Sequence, residues 1–208
     1  MRTRSTVLFL AAAALPLTAL APAQAAVVID CAGGAVTVAE SLEVVTVTGI
    51  CTTVTITATN STVTLPAATA LTVTGSNLKI TSGAVAGDIN LGGSNNTLAG
   101  ASAKTARLTG SNISAEFTGD VDLALLTSDD SSLTADEVMK TTIKGSNDSV
   151  VARLGAALVI RGSNNLVRFT KLAEAKVIGS NNSLTVKKAQ TKVVVRGANN
   201  LVRVHNRL

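Results

Sequence analysis

Short bursts of alternating apolar and small or polar residues run along this chain, each phased like its neighbours. Val36 and Val38 begin the alternation and Val45 and Val47 continue it, and Thr55-Ile56-Thr57 and Thr62-Val63-Thr64 repeat it further on. A period of two places the apolar side chains on one face of an extended strand, so the pattern predicts short strands and no helix.

The bursts belong to an internal repeat. Gly-Ser-Asn recurs at Gly75-Ser76-Asn77, Gly93-Ser94-Asn95, Gly110-Ser111-Asn112, Gly145-Ser146-Asn147, Gly162-Ser163-Asn164 and Gly179-Ser180-Asn181. Ala58-Thr59-Asn60, Ser128-Asp129-Asp130 and Gly197-Ala198-Asn199 complete the series, and every step between anchors is 17 or 18 residues. Four residues before the anchor stand Ile56, Val73, Leu91, Leu108, Leu126, Ile143, Ile160, Val177 and Val195. Three residues after it stand Val63, Ile80, Leu98, Ala115, Leu133, Val150, Val167, Leu184 and Val202. Such columns exclude a flexible Gly/Ser/Asn linker. Each unit reads as strand, Gly-Ser-Asn corner, strand, then a wider turn carrying a small apolar residue inward (Ala68, Val85, Ala103, Val138, Ala189). Where a step is 18, the wide turn takes the extra residue.

One unit cannot stand alone. It buries about three aliphatic side chains, worth roughly 1.5–3 kcal/mol each, against roughly 1–2 kcal/mol for every backbone it orders. The units must therefore stack, and the expectation is an all-β, single-domain parallel β-helix of about ten coils. At ~4.8 Å per coil it would be a rod of about 45–50 Å, right-handed by the usual sense of parallel crossovers. The anchor column, Asn60, Asn77, Asn95, Asn112, Asn147, Asn164, Asn181 and Asn199, then forms a ladder of side-chain amides. The glycine two positions earlier suits a corner at positive φ.

Residues 1–25 read as an export signal rather than as part of the fold. Arg2 and Arg4 precede an apolar run, and Ala23-Gln24-Ala25 is a small-x-small cleavage site, leaving a secreted or cell-surface domain over 26–208. No later apolar run is long enough for a transmembrane helix. Cys31 and Cys51 are the only cysteines. Twenty residues apart, they are expected on adjacent coils as a disulfide stapling the N-terminal end.

The core must be narrow, since the chain has no Trp or Tyr, and beyond the signal only Phe117 and Phe169 are aromatic. Charge is distributed unevenly. Residues 26–139 hold 3 basic side chains against 11 acidic, whereas residues 140–208 hold 13 basic against Asp148 and Glu174.

The tetrads Gly162-Ser163-Asn164-Asn165 and Gly179-Ser180-Asn181-Asn182, each running into alternating apolar residues, resemble an exported actinobacterial family with GxNN corners. That family is catalogued only as a domain of unknown function (number thirty-sixty). The resemblance implies a cell-envelope or secreted β-solenoid with an early cysteine pair and no assigned activity. The corner at Asp129-Asp130 departs from the motif by losing both Gly and Asn.

Catalytic chemistry finds little to work with. Asp120, Asp122, Asp129, Asp130 and Asp136 form the one acidic cluster, a candidate carboxylate pair for a carbohydrate-active enzyme. No repeat exceeds 18 residues, so no inserted loop walls a cleft, and no aromatic platform awaits a sugar. His205 is the single histidine and has no nucleophile in a fixed relation to it. Phosphate-loop, dinucleotide and nucleophile-elbow fingerprints are absent. Gly92-Gly93-Ser94-Asn95-Asn96 differs from calcium nonapeptides in period and in lacking Asp. The reading is non-catalytic, with no cofactor and no metal.

Two surface features remain. Thr55/Thr57, Thr62/Thr64 and Thr72/Thr74 suggest a flat threonine array of the ice-binding kind, but Gly92, Lys144 and Arg161 interrupt it. The stronger feature is a basic stripe. Lys144, Arg161 and Arg196 stand three before the anchor, and Arg168 and Arg203 four after it. Such a comb suits an anionic cell-wall polymer, an acidic lipid surface or an acidic protein. Nucleic acid is not expected, since stacking aromatics are lacking. The same charge polarity allows a monomer or weak head-to-tail assembly.

Overall fold

A computed structural model describes residues 26–208; the expected export signal and its cleavage after Ala25 lie outside the described residues. Seventeen strands join in one sheet, and no helix occurs among the described residues. The strands begin β1 (Ala26–Asp30), β2 (Ala35–Val38), β3 (Val44–Thr48), β4 (Cys51–Ile56), β5 (Thr62–Leu65) and β6 (Ala68–Val73). They continue as β7 (Lys79–Ser82), β8 (Val85–Leu91), β9 (Thr97–Gly100), β10 (Ala103–Leu108), β11 (Ser114–Phe117) and β12 (Asp120–Leu126). The last five are β13 (Ser132–Ile143), β14 (Ser149–Ile160), β15 (Leu166–Ile178), β16 (Ser183–Arg196) and β17 (Leu201–Arg207).

Every pairing is parallel and joins residues about one repeat apart, as a solenoid requires. β1, β3, β5, β7, β9 and β11 stack on one side, and β2, β4, β6, β8, β10 and β12 on the other. From β13 onward a single strand crosses the wide turn and serves both sides, each pairing with the next through β17. The protein is thus a parallel β-solenoid of about eleven turns, one more than the repeat predicts. At ~4.8 Å per turn it is about 50 Å long.

The apolar columns form the core. All members four before the anchor are buried except Val195, which is half-buried. The column three after the anchor behaves alike, with only Val202 half-buried. A narrow core accepts an aromatic ring only where its neighbours shrink. Phe117 stacks against Gly100, where a Cβ would stand 3.1 Å from the ring. Phe169 lies between Ala152 and Val186, with Gly155 beside it. Cys31 and Cys51 are both buried and disulfide-bonded, with Cα atoms 5.2 Å apart.

The wide turn takes up the irregularity of the repeat. Register shifts fall between Ala68 and Leu71, Ala103 and Thr105, Phe169 and Glu174, and Val186 and Gln190. Ala68, Val85, Ala103 and Val138 point into the core as expected. Ala189 does not. It is half-buried at φ 88°, and Thr191 fills the interior instead, donating its hydroxyl to the Leu172 carbonyl at 2.9 Å.

At the corner, the anchor is in the left-handed conformation in every coil, and the corner glycine shares it only at Gly93 (φ 68°), Gly179 (φ 130°) and Gly197 (φ 103°). φ lies between 54° and 60° at every anchor, including Asp130 at 57°. Asn and Asp tolerate this region because their short polar side chains bond locally. The need common to all the corner glycines is close approach. A Cβ on Gly162 would stand 1.7 Å from the Gly145 carbonyl oxygen, and one on Gly75 would stand 1.8 Å from that of Ala58. Where glycine stands at the corner, successive coils press backbone on backbone and leave no room for a side chain, whereas Ala58 and Ser128 carry one at the same position.

Candidate anion-binding surface

The corner carries two columns of side chains, one facing out and one facing in. The anchor asparagines face out. Asn77 Nδ2 donates to Asn60 Oδ1 at 2.9 Å, Asn95 to Asn77 at 3.0 Å and Asn112 to Asn95 at 2.6 Å. The donation runs toward the preceding coil. Asp130 interrupts the series, and at Asn147, Asn164, Asn181 and Asn199 no anchor amide bonds to another among the described residues.

The residue after the anchor faces in: Ser61, Leu78, Asn96, Ile113, Ser131, Asp148, Asn165 and Asn182 are buried, and Asn200 is half-buried. Each asparagine here ties two coils together. Asn165 Oδ1 accepts the Asp148 N–H at 2.9 Å, and its Nδ2 donates to the Gly145 carbonyl at 3.1 Å. Asn182 does the same to Asn165 N and Gly162 O, and Asn200 to Asn182 N and Gly179 O. Asn96 bonds Leu78 N and Gly75 O in the same way. This inner column is the feature that reading the anchors alone misses. Its signal is the second Asn of the Gly-Ser-Asn-Asn tetrads, which shares its position with Leu78 and Ile113. Burial pushes the Asp148 carboxyl up to about 7, against the Ser131 N–H that favours its charge, with the charges of Asp129 and Asp130 adding to the rise.

The basic side chains lie outside these columns. Lys144, Arg161 and Arg196 are exposed on the approach to the corner, in a stack that Ile178 interrupts next to Arg196. Arg168 and Arg203 are exposed on the departing side, with Thr185 between them. Each group is a column along the rod, and the Gly-Ser-Asn edge separates the two. Cations two coils apart are about 10 Å apart along the axis. Among the described residues the one ion pair is elsewhere: Arg153 grips Asp136 with two bonds of 2.7 and 2.8 Å, both partners largely exposed. That hydrogen-bonded guanidinium holds the Asp136 carboxyl below the ordinary range. Among the described residues, Lys144, Arg161, Arg168, Arg196 and Arg203 have no carboxylate within 4.0 Å.

The acidic residues do not share one place. Asp129 and Asp130 sit on the corner edge. Asp120, Asp122 and Asp136 lie across the coil at the wide turn, the first two beside a shallow open depression of about 520 Å³ that also meets Lys104. No group of three or more His, Cys, Asp or Glu is arranged to hold a metal ion among the described residues. His205 is exposed on β17. Of the threonine array, Thr55 stacks on Thr72, but Thr62 meets Lys79 and Asn90 follows Thr72.

A family model described as a protein of unknown function (DUF3060) matches residues 160–207, the last coils of the solenoid and most of the basic side chains. No curated protein and no solved structure matches the chain.

Proposed function

We propose that this protein is a non-catalytic, secreted or cell-envelope solenoid that attaches to an anionic polymer through the basic columns of its C-terminal half. The observation that carries the reading is the absence of internal compensation. Residues 140–208 hold 13 basic side chains, of which Arg153 alone meets a carboxylate among the described residues. Exposed cations repeated on a rigid rod present a regular field to a linear polyanion lying along the axis, and rigidity spares the entropy of ordering a binding loop. The disulfide accords with an oxidising compartment. The corner asparagines belong, in this reading, to the scaffold.

Binding of the purified protein to teichoic-type polymer, across a salt series, tests the proposal. Affinity should fall steeply as salt rises. Charge reversal at Arg161, Arg168, Arg196 and Arg203 together should abolish it while leaving the β-rich circular dichroism spectrum unchanged. Undiminished binding by that variant, or binding indifferent to salt, overturns the reading.

A further inference from the structure

The inner corner column raises a separate matter, independent of any polymer. Its asparagines each use both ends of the amide: the oxygen accepts a backbone N–H of the preceding coil, and the nitrogen donates to that coil's corner carbonyl. Asp148 occupies the same position with a carboxyl group. Its Oδ1 accepts the Ser131 N–H at 3.0 Å, as an asparagine oxygen would. Its Oδ2 stands where the others carry Nδ2, is buried, and has no hydrogen-bond partner among the described residues.

What faces that oxygen decides the matter. Ser128 is the corner residue of the preceding coil, the counterpart of Gly145 for Asn165 and of Gly162 for Asn182. A Cβ on Gly145 would stand 1.5 Å from the Ser128 carbonyl oxygen and 2.5 Å from Asp148 Oδ2, so the two oxygens lie within 4 Å of each other. At the equivalent point beside Gly162, the neighbours are the Gly145 oxygen at 1.7 Å and Asn165 Nδ2 at 3.0 Å. An amide there satisfies the carbonyl, whereas a carboxylate sets one acceptor against another. The charged groups around the site add nothing to hold the carboxylate. Asp129 and Asp130 lie on the preceding corner, and the exposed Lys144 and Arg161 lie on its own corner and the next.

We infer that Asp148 stands in the folded solenoid as the neutral acid, its Oδ2–H donating to the Ser128 carbonyl, and that losing this proton makes the contact between coils at Ser128–Ser131 and Gly145–Asp148 a pH-sensitive weak point. The group balances simply: the proton leaves to solvent, the hydrogen bond to Ser128 breaks, and a buried carboxylate remains facing a carbonyl. The same burial raises the carboxyl to about 7. The sign follows from that rise. The contribution is complete below the ordinary carboxylate value, where folded and unfolded chains are both protonated, and is lost progressively as pH climbs to about 7.

Asp148→Asn supplies the amide the other coils use. In the wild-type protein, the opening constant of the Ser131 amide, from hydrogen exchange corrected for intrinsic rate, should rise about tenfold per pH unit between about pH 5 and 7. In D148N that rise should vanish, and the variant should be better protected than wild type at pH 8. The double variant D129N/D130N should keep the rise with its midpoint moved to lower pH. A D148N profile parallel to wild type, or a flat wild-type profile, overturns the inference. The wild-type Asp148 carboxyl carbon, followed by NMR, gives a reading that needs no variant: a midpoint above pH 6 upholds the neutral acid, and one in the ordinary aspartate range refutes it.

Discussion

Gly162→Ala adds one methyl group to an exposed-edge corner and should nevertheless be among the most damaging single changes in the protein. The new Cβ would stand 1.7 Å from the Gly145 carbonyl oxygen, about half an ordinary van der Waals separation. Neither partner is a flexible side chain, so two backbones must part. That carbonyl is also the acceptor for Asn165 Nδ2 at 3.1 Å, and the adjacent Arg161 N–H donates to Ile143 O at 2.8 Å. Parting the corners strains both bonds, and each buried group left unpaired costs about 1–3 kcal/mol. The expected loss is therefore about 3–5 kcal/mol, concentrated at one contact because coils interact only with their neighbours. Urea unfolding followed by circular dichroism measures it. Gly34→Ala is the control: its Cβ would meet nothing nearer than the Cys31 carbonyl at 3.5 Å, and the substitution should be neutral or slightly stabilising. A Gly162→Ala variant within 1 kcal/mol of wild type would refute the claim that close backbone approach explains this glycine.

Two further changes probe the core and the N-terminal end. Phe169→Ala empties the space between Ala152 and Val186, which a stack of paired coils cannot readily close, and should cost about 3–5 kcal/mol in the same urea assay. Replacing Cys31 and Cys51 by Ser removes a covalent closure across 20 residues and should cost about 3 kcal/mol. Reductant should then lower the melting temperature of the wild-type protein but leave that of the variant unmoved.

The solenoid was legible because its evidence is redundant. Nine anchors at one period and two aliphatic columns leave a stacked coil as the one arrangement that buries every Ile56 or Val63 equivalent at once. The corner was less legible. Alternation says that Asn165, like Leu78, turns inward, but an apolar rule has no place for a buried amide until the corner carbonyls are seen to face it. The role of glycine was hidden likewise, because close approach of two coils is a property of the stack and leaves no mark within one repeat. For the basic residues, spacing placed Arg161 with Arg196 and Arg168 with Arg203 in columns. The same spacing put the Gly-Ser-Asn corner between the two sets, but not the angle between the faces they occupy, because the angle of a corner is not written in the period.

Asp148 and the charge distribution meet at one place in the rod. The acidic stretch ends at Glu137 and the basic one begins at Lys140, so the contact between the corners of coils 128–131 and 145–148 is also where the protein changes sign. In a one-dimensional stack, overall stability is a sum of neighbour contacts, and cooperativity is limited by the weakest of them. This contact combines a buried serine hydroxyl at Ser128 without a partner among the described residues, an acid in place of an amide, and two further acids on the edge. A carboxyl raised from 3.8 to about 7 corresponds to a ceiling of about 4 kcal/mol at about 1.4 kcal/mol per unit. Burial is its chief cause, and solvent screening at this edge relieves part of it, leaving about 2 kcal/mol. That is comparable to the net worth of one or two hydrogen bonds, and it acts on a single contact rather than on the whole rod. The repeat could have been continued through this coil with Gly and Asn, as it is on both sides. The departure at Ser128, Asp130 and Asp148 therefore falls where the acidic stretch gives way to the basic one, at the contact inferred to respond to pH, while strand pairing and the aliphatic columns run through it unbroken.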